Sequence, residues 1–207
     1  TNATESGTVY RPDEVKAIAD LAKAEGLRVH MDGARFANAM AFLGVPAKAV
    51  TWRAGVDALS FGATKGGAMA AECVVFFDEK LAQSFAYRRM RGGHLVSKMR
   101  FVSAQLNAFF ADGLWLKLAR HANAMAQRLA QGLQRIPGAR LVHPVEANEL
   151  FVVLPAAVIA GLREAGAEFY DWAGEPNMIR LVTAWETEPA KVERFLKVAA
   201  EVAAQAA

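Results

Sequence analysis

Three short motifs set reactive side chains directly after runs of apolar residues. In His30-Met31-Asp32-Gly33-Ala34-Arg35 an aspartate emerges from a strand-like run, and an arginine follows at Arg35. In Ser60-Phe61-Gly62-Ala63-Thr64-Lys65-Gly66-Gly67 a lysine stands just past an apolar run, flanked by residues small enough to leave room beside its amine. Such a lysine serves as a Schiff-base nucleophile when burial and neighbours keep its amine accessible in the neutral form. In Asn177-Met178-Ile179-Arg180-Leu181-Val182-Thr183, Arg180 interrupts an otherwise apolar strand. A buried guanidinium needs an anion, so Arg180 implies a carboxylate partner or a strand edge open to water; an external carboxylate would be gripped bidentately.

Each motif also has an ordinary explanation. Asp32 can be a helix cap with Arg35 as its ion pair, and Lys65 taken alone can be a plain surface residue. The glycines and hydroxyls around Lys65 would suit a phosphate loop, but Gly66 follows the lysine where G-x-x-x-x-G-K-[ST] requires Ser or Thr. His30 and His94 are candidate proton carriers; we expect His30 to face the core from its strand and His94 to lie in a loop near a subunit contact. Cys73, the one cysteine, sits in the apolar run Cys73-Val74-Val75-Phe76-Phe77 with no adjacent cation to lower its pKa, which reads as a core residue rather than a nucleophile.

The elements that must position these motifs follow from periodicity. Pro12, Asp13 and Glu14 start a helix whose apolar face is Val15, Ile18, Leu21 and Ala22, and Gly26 closes it. Residues 27–31 read as a buried strand ending at Asp32-Gly33, residues 34–43 as a helix, and residues 57–61 and 72–77 as further strands. This strand, helix, strand order is that of an α/β layer with mostly parallel strands. Leu81, Phe85 and Met90 lie on helix before Gly92-Gly93, a longer helix is predicted over 95–110, and Trp115 to Leu133 mark a long amphipathic helix ending before Pro137-Gly138. Beyond that break come strands near 140–143, 150–154, 168–172 and 179–184, a helix over 158–165 and a last helix from about Pro189. We expect a small α+β layer with antiparallel strands, and an Ala-rich end, 198–207, that frays. The domain expectation is thus 1–112, a connecting helix over 113–137, and 138–207.

Composition agrees with a folded chain: 207 residues, 54% hydrophobic and 22% charged, have ample apolar side chains for a core. The excess of 24 basic over 21 acidic residues is too small to argue for nucleic acid. The basic run Arg88, Arg89, Arg91, Lys98 and Arg100 is interrupted by Gly92-Gly93 and lacks interleaved stacking aromatics; it is either a solvated helix end or an anion site. The uncharged stretch 150–162 is shorter than the ~20 residues of a membrane span and contains Pro155, so no transmembrane helix is expected. A single cysteine suits a reducing cytoplasm. No metal ligand set is assigned. Thr1 opens the chain with no methionine or basic-then-apolar leader, so the chain is expected to begin in mid-protein or to be processed.

Taken together, Asp-Gly-Ala-Arg after a strand, Thr-Lys-Gly-Gly after another, Arg-Gly-Gly and Ile-Arg-Leu-Val-Thr resemble the low-specificity L-threonine aldolases, members of the aspartate-aminotransferase-like, fold type I group of pyridoxal-phosphate enzymes. The resemblance runs from Thr1-Asn2-Ala3-Thr4-Glu5-Ser6-Gly7-Thr8-Val9-Tyr10 to the last helix. It implies an α/β fold, part of the large domain of such an enzyme followed by a small C-terminal α+β domain. It also implies pyridoxal 5'-phosphate, with Lys65 as its Schiff-base lysine, Asp32 as partner of the pyridinium nitrogen, and Thr64 offering a hydroxyl to phosphate or ring. Arg35 and Arg180 match groups that hold the amino-acid carboxylate or the cofactor edge, and are expected to converge on one pocket. Arg91 and Lys98 match basic positions reaching the phosphate of a neighbouring subunit, which implies a homo-oligomer, dimer or tetramer, with shared active sites.

The implied reaction is retro-aldol cleavage of L-threonine or L-allo-threonine to glycine and acetaldehyde. Two alternatives stay open: another pyridoxal-phosphate reaction such as β-elimination or transamination, and a non-catalytic or incomplete fragment. The family's first part, with its phosphate loop and ring-stacking histidine, has no counterpart in this sequence. The isolated chain is therefore expected to have little aldolase activity and to expose apolar surface.

Overall fold

The computed structural model describes residues 3–205. Thr1 and Asn2 of the opening motif, and Ala206 and Ala207 of the end expected to fray, lie outside the described residues. The chain forms two compact units. The first holds Ala3 and Val9–Leu118, the second Thr4–Thr8 and residues 119–205.

In the first unit, helix α1 (Pro12–Ala24) starts where expected: Pro12 needs no backbone donor there, and Glu14 reaches back to accept from the Arg11 N–H at 2.6 Å. Its buried stripe is Val15 and Ala19, the latter against Gly55. Ile18 and Leu21, expected on that face, are exposed, because an i, i+4 stripe of small residues suffices where the helix meets backbone. Strand β1 (His30–Gly33) is followed by α2 (Phe36–Leu43), two 3₁₀ turns (Ala47–Ala49 and Trp52–Ala54) and β2 (Ala58–Gly62). A 3₁₀ turn, Thr64–Gly66, then leads to β3 (Glu72–Phe76), α3 (Glu79–Ala82), α4 (Phe85–Arg91), α5 (Met99–Phe110) and α6 (Leu114–Leu133). The division between the units falls inside α6.

The sheet order is β1-β2-β3. β1 and β2 are parallel, with Asp32 opposite Ser60; β2 and β3 are antiparallel, with Gly62 opposite Glu72. The mostly parallel sheet expected is therefore mixed. The reason is connection length: residues 63–71 carry only a 3₁₀ turn, and a parallel return needs a crossover of a dozen or more residues. Met31, Leu59 and Phe61 point to the covered face, where Phe36, Phe109, Phe110 and Trp115 surround Phe61 at ring separations of 5.1–6.3 Å. His30 and Asp32 alternate to the other, open face. His30 therefore does not face the core. The strand also begins at His30 rather than Leu27, because Val29 N donates to the Asp57 carboxylate at 2.8 Å and so pairs with a side chain before the ladder starts. Likewise the helix expected over 95–110 starts only at Met99, since Gly92 and Gly93 end α4 and an irregular stretch follows.

The second unit contains β4 (Arg140–Leu141), β5 (Glu149–Val153), α7 (Ala156–Glu164), β6 (Tyr170–Asp171), β7 (Met178–Val182) and α8 (Pro189–Gln205). Its strands pair antiparallel, as expected, and their order is β4-β5-β7-β6. Leu150, Val152, Ile179 and Leu181 form the core with Leu129 and Leu133 of α6, Val158 and Leu162 of α7, and Val192 of α8. Glu149, Phe151 and Arg180 occupy the opposite face of the sheet by register. α8 runs to Gln205 instead of fraying from Val198, because Ala199 is fully buried and Val202 packs over Gly161.

Gly62 lets the first sheet close at its functional edge: a Cβ there would lie 2.8 Å from Ala34 Cα, 3.0 Å from Ala34 O and 2.9 Å from Glu72 Oε2. Two of these neighbours are backbone and cannot swing aside. Gly62→Ala is expected to destabilise the fold by about 1–3 kcal/mol, the usual size of overpacking, read as a lower urea midpoint with unchanged slope.

Candidate active site

Parallel pairing puts the C-terminal ends of β1 and β2 on one edge, where ligands bind in open α/β sheets. Asp32, one residue before the end of β1, is exposed, and its Oδ1 accepts from Ala34 N at 2.9 Å. This Asx turn swings the chain out of β1 and into α2, with Arg35 immediately before the helix. On the same face His30 Nε2 and Ser60 Oγ share a hydrogen bond of 2.7 Å. His30 is exposed there, and its ring is committed to Ser60.

From the end of β2 the chain enters the turn that carries Thr64 and Lys65, both exposed. Thr64 N donates to Glu72 Oε1 at 3.3 Å, and Thr64 Oγ1 accepts from Ala71 N at 3.1 Å, which leaves the hydroxyl hydrogen to donate elsewhere. Gly66 rests on the ring of Phe109; a Cβ would approach it to 2.7 Å. One turn earlier on α5, Gln105 Oε1 accepts from Met69 N (3.0 Å) and Ala70 N (3.1 Å). Among the described residues no carboxylate pairs with the Lys65 amine. Glu72 and Gln105 were not assigned roles from sequence; the only signal was the i, i+4 spacing of Gln105 and Phe109 on one helix face.

Arg91 is the last residue of α4 and Lys98 immediately precedes α5; both are exposed, as are Arg88 and Arg100 of the same run. Gly92, Gly93 and His94 lie between them, also exposed.

In the second unit Arg180 has an internal partner. Its Nε donates to Glu149 Oε2 at 2.9 Å, its Nη2 donates to the same oxygen, and the guanidinium lies 5.3 Å from the Trp172 ring centroid. The glutamate side chain is 2% exposed, the arginine 20%. Of the options the sequence left open, a protein carboxylate is present, and it went unrecognised because Glu149 stands at the head of an apolar strand. Only the β5–β7 register makes it the diagonal neighbour of Arg180.

A cavity of about 490 Å³ lined by Lys16, Arg28, Trp52, Arg53, Asp57 and Asp78 lies at the opposite end of the strands and touches none of these groups. No helix of the described residues is long and apolar enough to cross a membrane.

Residues 1–157 match the family described as beta-eliminating lyase. The chain belongs to that family. It is 47% identical over 195 residues to a low specificity L-threonine aldolase of Pseudomonas sp. (strain NCIMB 10558), covering 94% of this chain and 56% of that protein. It is 46% identical over 202 residues to the low specificity L-threonine aldolase of Pseudomonas aeruginosa, covering 98% and 57%. Among solved structures a threonine aldolase of Leishmania major superposes with a TM-score of 0.90 at 30% identity, over 98% of this chain and 59% of that one. The chain thus spans somewhat over half the length of these relatives, and its fold is that of the fold type I group. The residues at the strand edge fit the cofactor that the fold implies: an exposed amine that pairs with no carboxylate among the described residues, and on the adjacent strand an exposed carboxylate with one oxygen committed to backbone.

Burial, and secondarily the adjacent Glu72 carboxylate, push the Cys73 thiol up from its ordinary pKa, which disfavours the nucleophilic thiolate. Cys73 is therefore expected to react with iodoacetamide at pH 8 at least about fivefold more slowly than a free cysteine peptide, the thiolate being the reacting form. Labelling in denaturant should restore the peptide rate, and mass spectrometry reads both.

Proposed function

We propose that the protein is a pyridoxal-phosphate-dependent aldolase that cleaves L-threonine or L-allo-threonine to glycine and acetaldehyde. The observation that carries this reading is the pairing of an exposed lysine and an exposed aspartate on adjacent parallel strand ends, in a chain 47% identical to a protein of that name. When bound, the cofactor supplies a protonated ring that takes up the electron pair of the breaking bond. Asp32 keeps the proton on the ring nitrogen. Lys65 would hold the cofactor through its amine and give up that place to the amine of the substrate. Thr64 lends its hydroxyl hydrogen to phosphate or ring, and Arg35 holds the cofactor edge or the carboxylate. Arg180 grips the substrate carboxylate with the part of its guanidinium that Glu149 does not use. Arg91 and Lys98, exposed beside the Gly92-Gly93 break, reach a phosphate in a neighbouring copy, which makes the protein a homo-oligomer with shared sites.

The family description, beta-eliminating lyase, favours one second reading: loss of a β-substituent using the same residues. Substrate profiling separates the two, since cleavage releases glycine and acetaldehyde from threonine, whereas elimination releases ammonia and a keto acid.

In the full-length protein, borohydride reduction of the cofactor-loaded form should place a pyridoxyl group on the peptide containing Lys65, and Lys65→Ala should abolish it. Capture on another lysine would remove the assignment. Asp32→Asn keeps shape and loses charge; turnover should fall by on the order of 10²–10³, the cost of one preorganised electrostatic group, while the melting temperature holds. Near-normal turnover excludes the role.

Arg180→Lys should raise the KM for threonine by about 10- to 100-fold, because a charge-assisted hydrogen bond is worth roughly 1.5–3 kcal/mol and lysine lacks the planar fork. Cofactor affinity, titrated by absorbance, should change far less.

A further inference from the structure

We infer that Glu149 is a positioning residue that holds the Arg180 guanidinium in the orientation needed to receive an amino-acid carboxylate; this rests on the carboxylate role proposed for Arg180 above. Glu149 is itself held firmly. A Cβ at Gly7 would lie 2.7 Å from Glu149 O and 3.2 Å from its Cγ, so the Thr4–Thr8 segment crosses directly over the glutamate stem. Gly7, at φ +75°, occupies left-handed backbone that a side chain would strain, and its carbonyl accepts from Glu146 N and Ala147 N at 3.2 Å each. The carboxylate therefore sits on backbone fixed from two sides.

Arg180 reaches that carboxylate along a diagonal of the β5–β7 pair, and both of its bonds converge on a single oxygen, Oε2. Nε and one nitrogen of the fork are thereby engaged, while Nη1 takes no part in either bond. The Trp172 ring restrains the arginine by cation–π attraction, and Phe151, directly opposite Arg180 in the register and 1% exposed, packs at 5.2 Å from the same tryptophan. A long arginine side chain ordinarily loses much rotamer freedom when it binds a ligand. Here that freedom is already spent on folding, so a carboxylate meets a pre-oriented fork.

A buried ion pair adds little net stability over apolar packing, which makes orientation the better account of why a glutamate occupies this position. The pair admits an opposite effect as well, since a neighbouring negative charge tempers the pull of Arg180 on any anion. Glu149→Asp separates the two: it keeps the charge but draws the carboxylate back by one methylene. Glu149→Gln keeps the reach and an accepting oxygen and drops the charge.

The test is calorimetric binding of glycine and of glycinamide, which lacks the carboxylate, to the full-length cofactor-loaded protein, with melting temperatures recorded for every variant. Glu149→Asp should weaken glycine about tenfold, equivalent to 1.4 kcal/mol, and leave glycinamide within about twofold, with Glu149→Gln recovering part of the loss. Equal weakening of both ligands would show a merely structural role, and unchanged or tighter glycine would show that Glu149 tempers charge rather than positions the fork; either overturns the inference. Should the aspartate variant fail to fold, the glutamine variant decides by the same comparison of the two ligands. Wild-type protein that binds glycinamide as well as glycine would instead remove the carboxylate role of Arg180 itself. A glycine-selective loss in Arg180→Lys with none in Glu149→Asp would keep that role and reject only the positioning.

Discussion

Parallel pairing of β1 with β2 is the constraint on which the candidate site depends. It sends both strands to the same edge, so that Asp32 near the end of one and Lys65 just past the end of the other lie at one margin of the sheet. The approach is close enough that Gly62 has no room for a methyl group beside the Ala34 backbone. The antiparallel return of β3 then brings Glu72 back to this edge, opposite Gly62, where it accepts from the backbone of Thr64. Two strand ends and one strand start thus build a single polar margin, and α5 pins the lysine turn from beneath through Phe109 and Gln105.

Covering the lower face of this sheet is a task for aromatic side chains. Phe61 stands at the centre of four rings, three of them edge-to-face and Phe110 tilted, and such aromatic contacts add to area burial by roughly 0.5–1.5 kcal/mol per pair. The upper face carries His30, Asp32 and Ser60 instead, with their polar atoms tied into short local bonds: His30 to Ser60, Asp32 to the Ala34 backbone. The division is strict because strand side chains alternate with a period of two. The same alternation in the second unit turns Leu150 and Val152 into its core and sets Glu149 and Phe151 on the other face with Arg180.

Charge follows the same logic in both units. A carboxylate is placed where backbone donors or a guanidinium can receive it: Asp32 by Ala34, Asp57 by Val29 and Arg28, Glu72 by Thr64, Glu149 by Arg180. Three exposed cations, Lys65, Arg91 and Lys98, stand instead at a turn, the end of α4 and the residue before α5.

Much of this was legible in the sequence, because it is written in local chemistry. Pro12 with Asp13 and Glu14 specifies a helix start, apolar runs specify strands, and a lysine after a strand among glycines specifies an accessible amine. The antiparallel small sheet and the long α6 follow from the same patterns. What the sequence left undetermined depends on which strand lies beside which. The length of the 63–71 connection already forbade a parallel β3, but only if β3 pairs with β2, and pairing is not a local property. The outward turn of His30 follows from alternation along β1 once Met31 is packed on the covered face, and which face is covered is decided by tertiary packing. The partnership of Glu149 and Arg180, thirty-one positions apart, exists only through the β5–β7 register; a one-residue slip would turn the two to opposite faces. Sequence therefore determined the candidate groups and the elements on which they ride. Tertiary structure alone decided which of them meet, because strand pairing is a long-range choice whose energy is shared over the whole sheet.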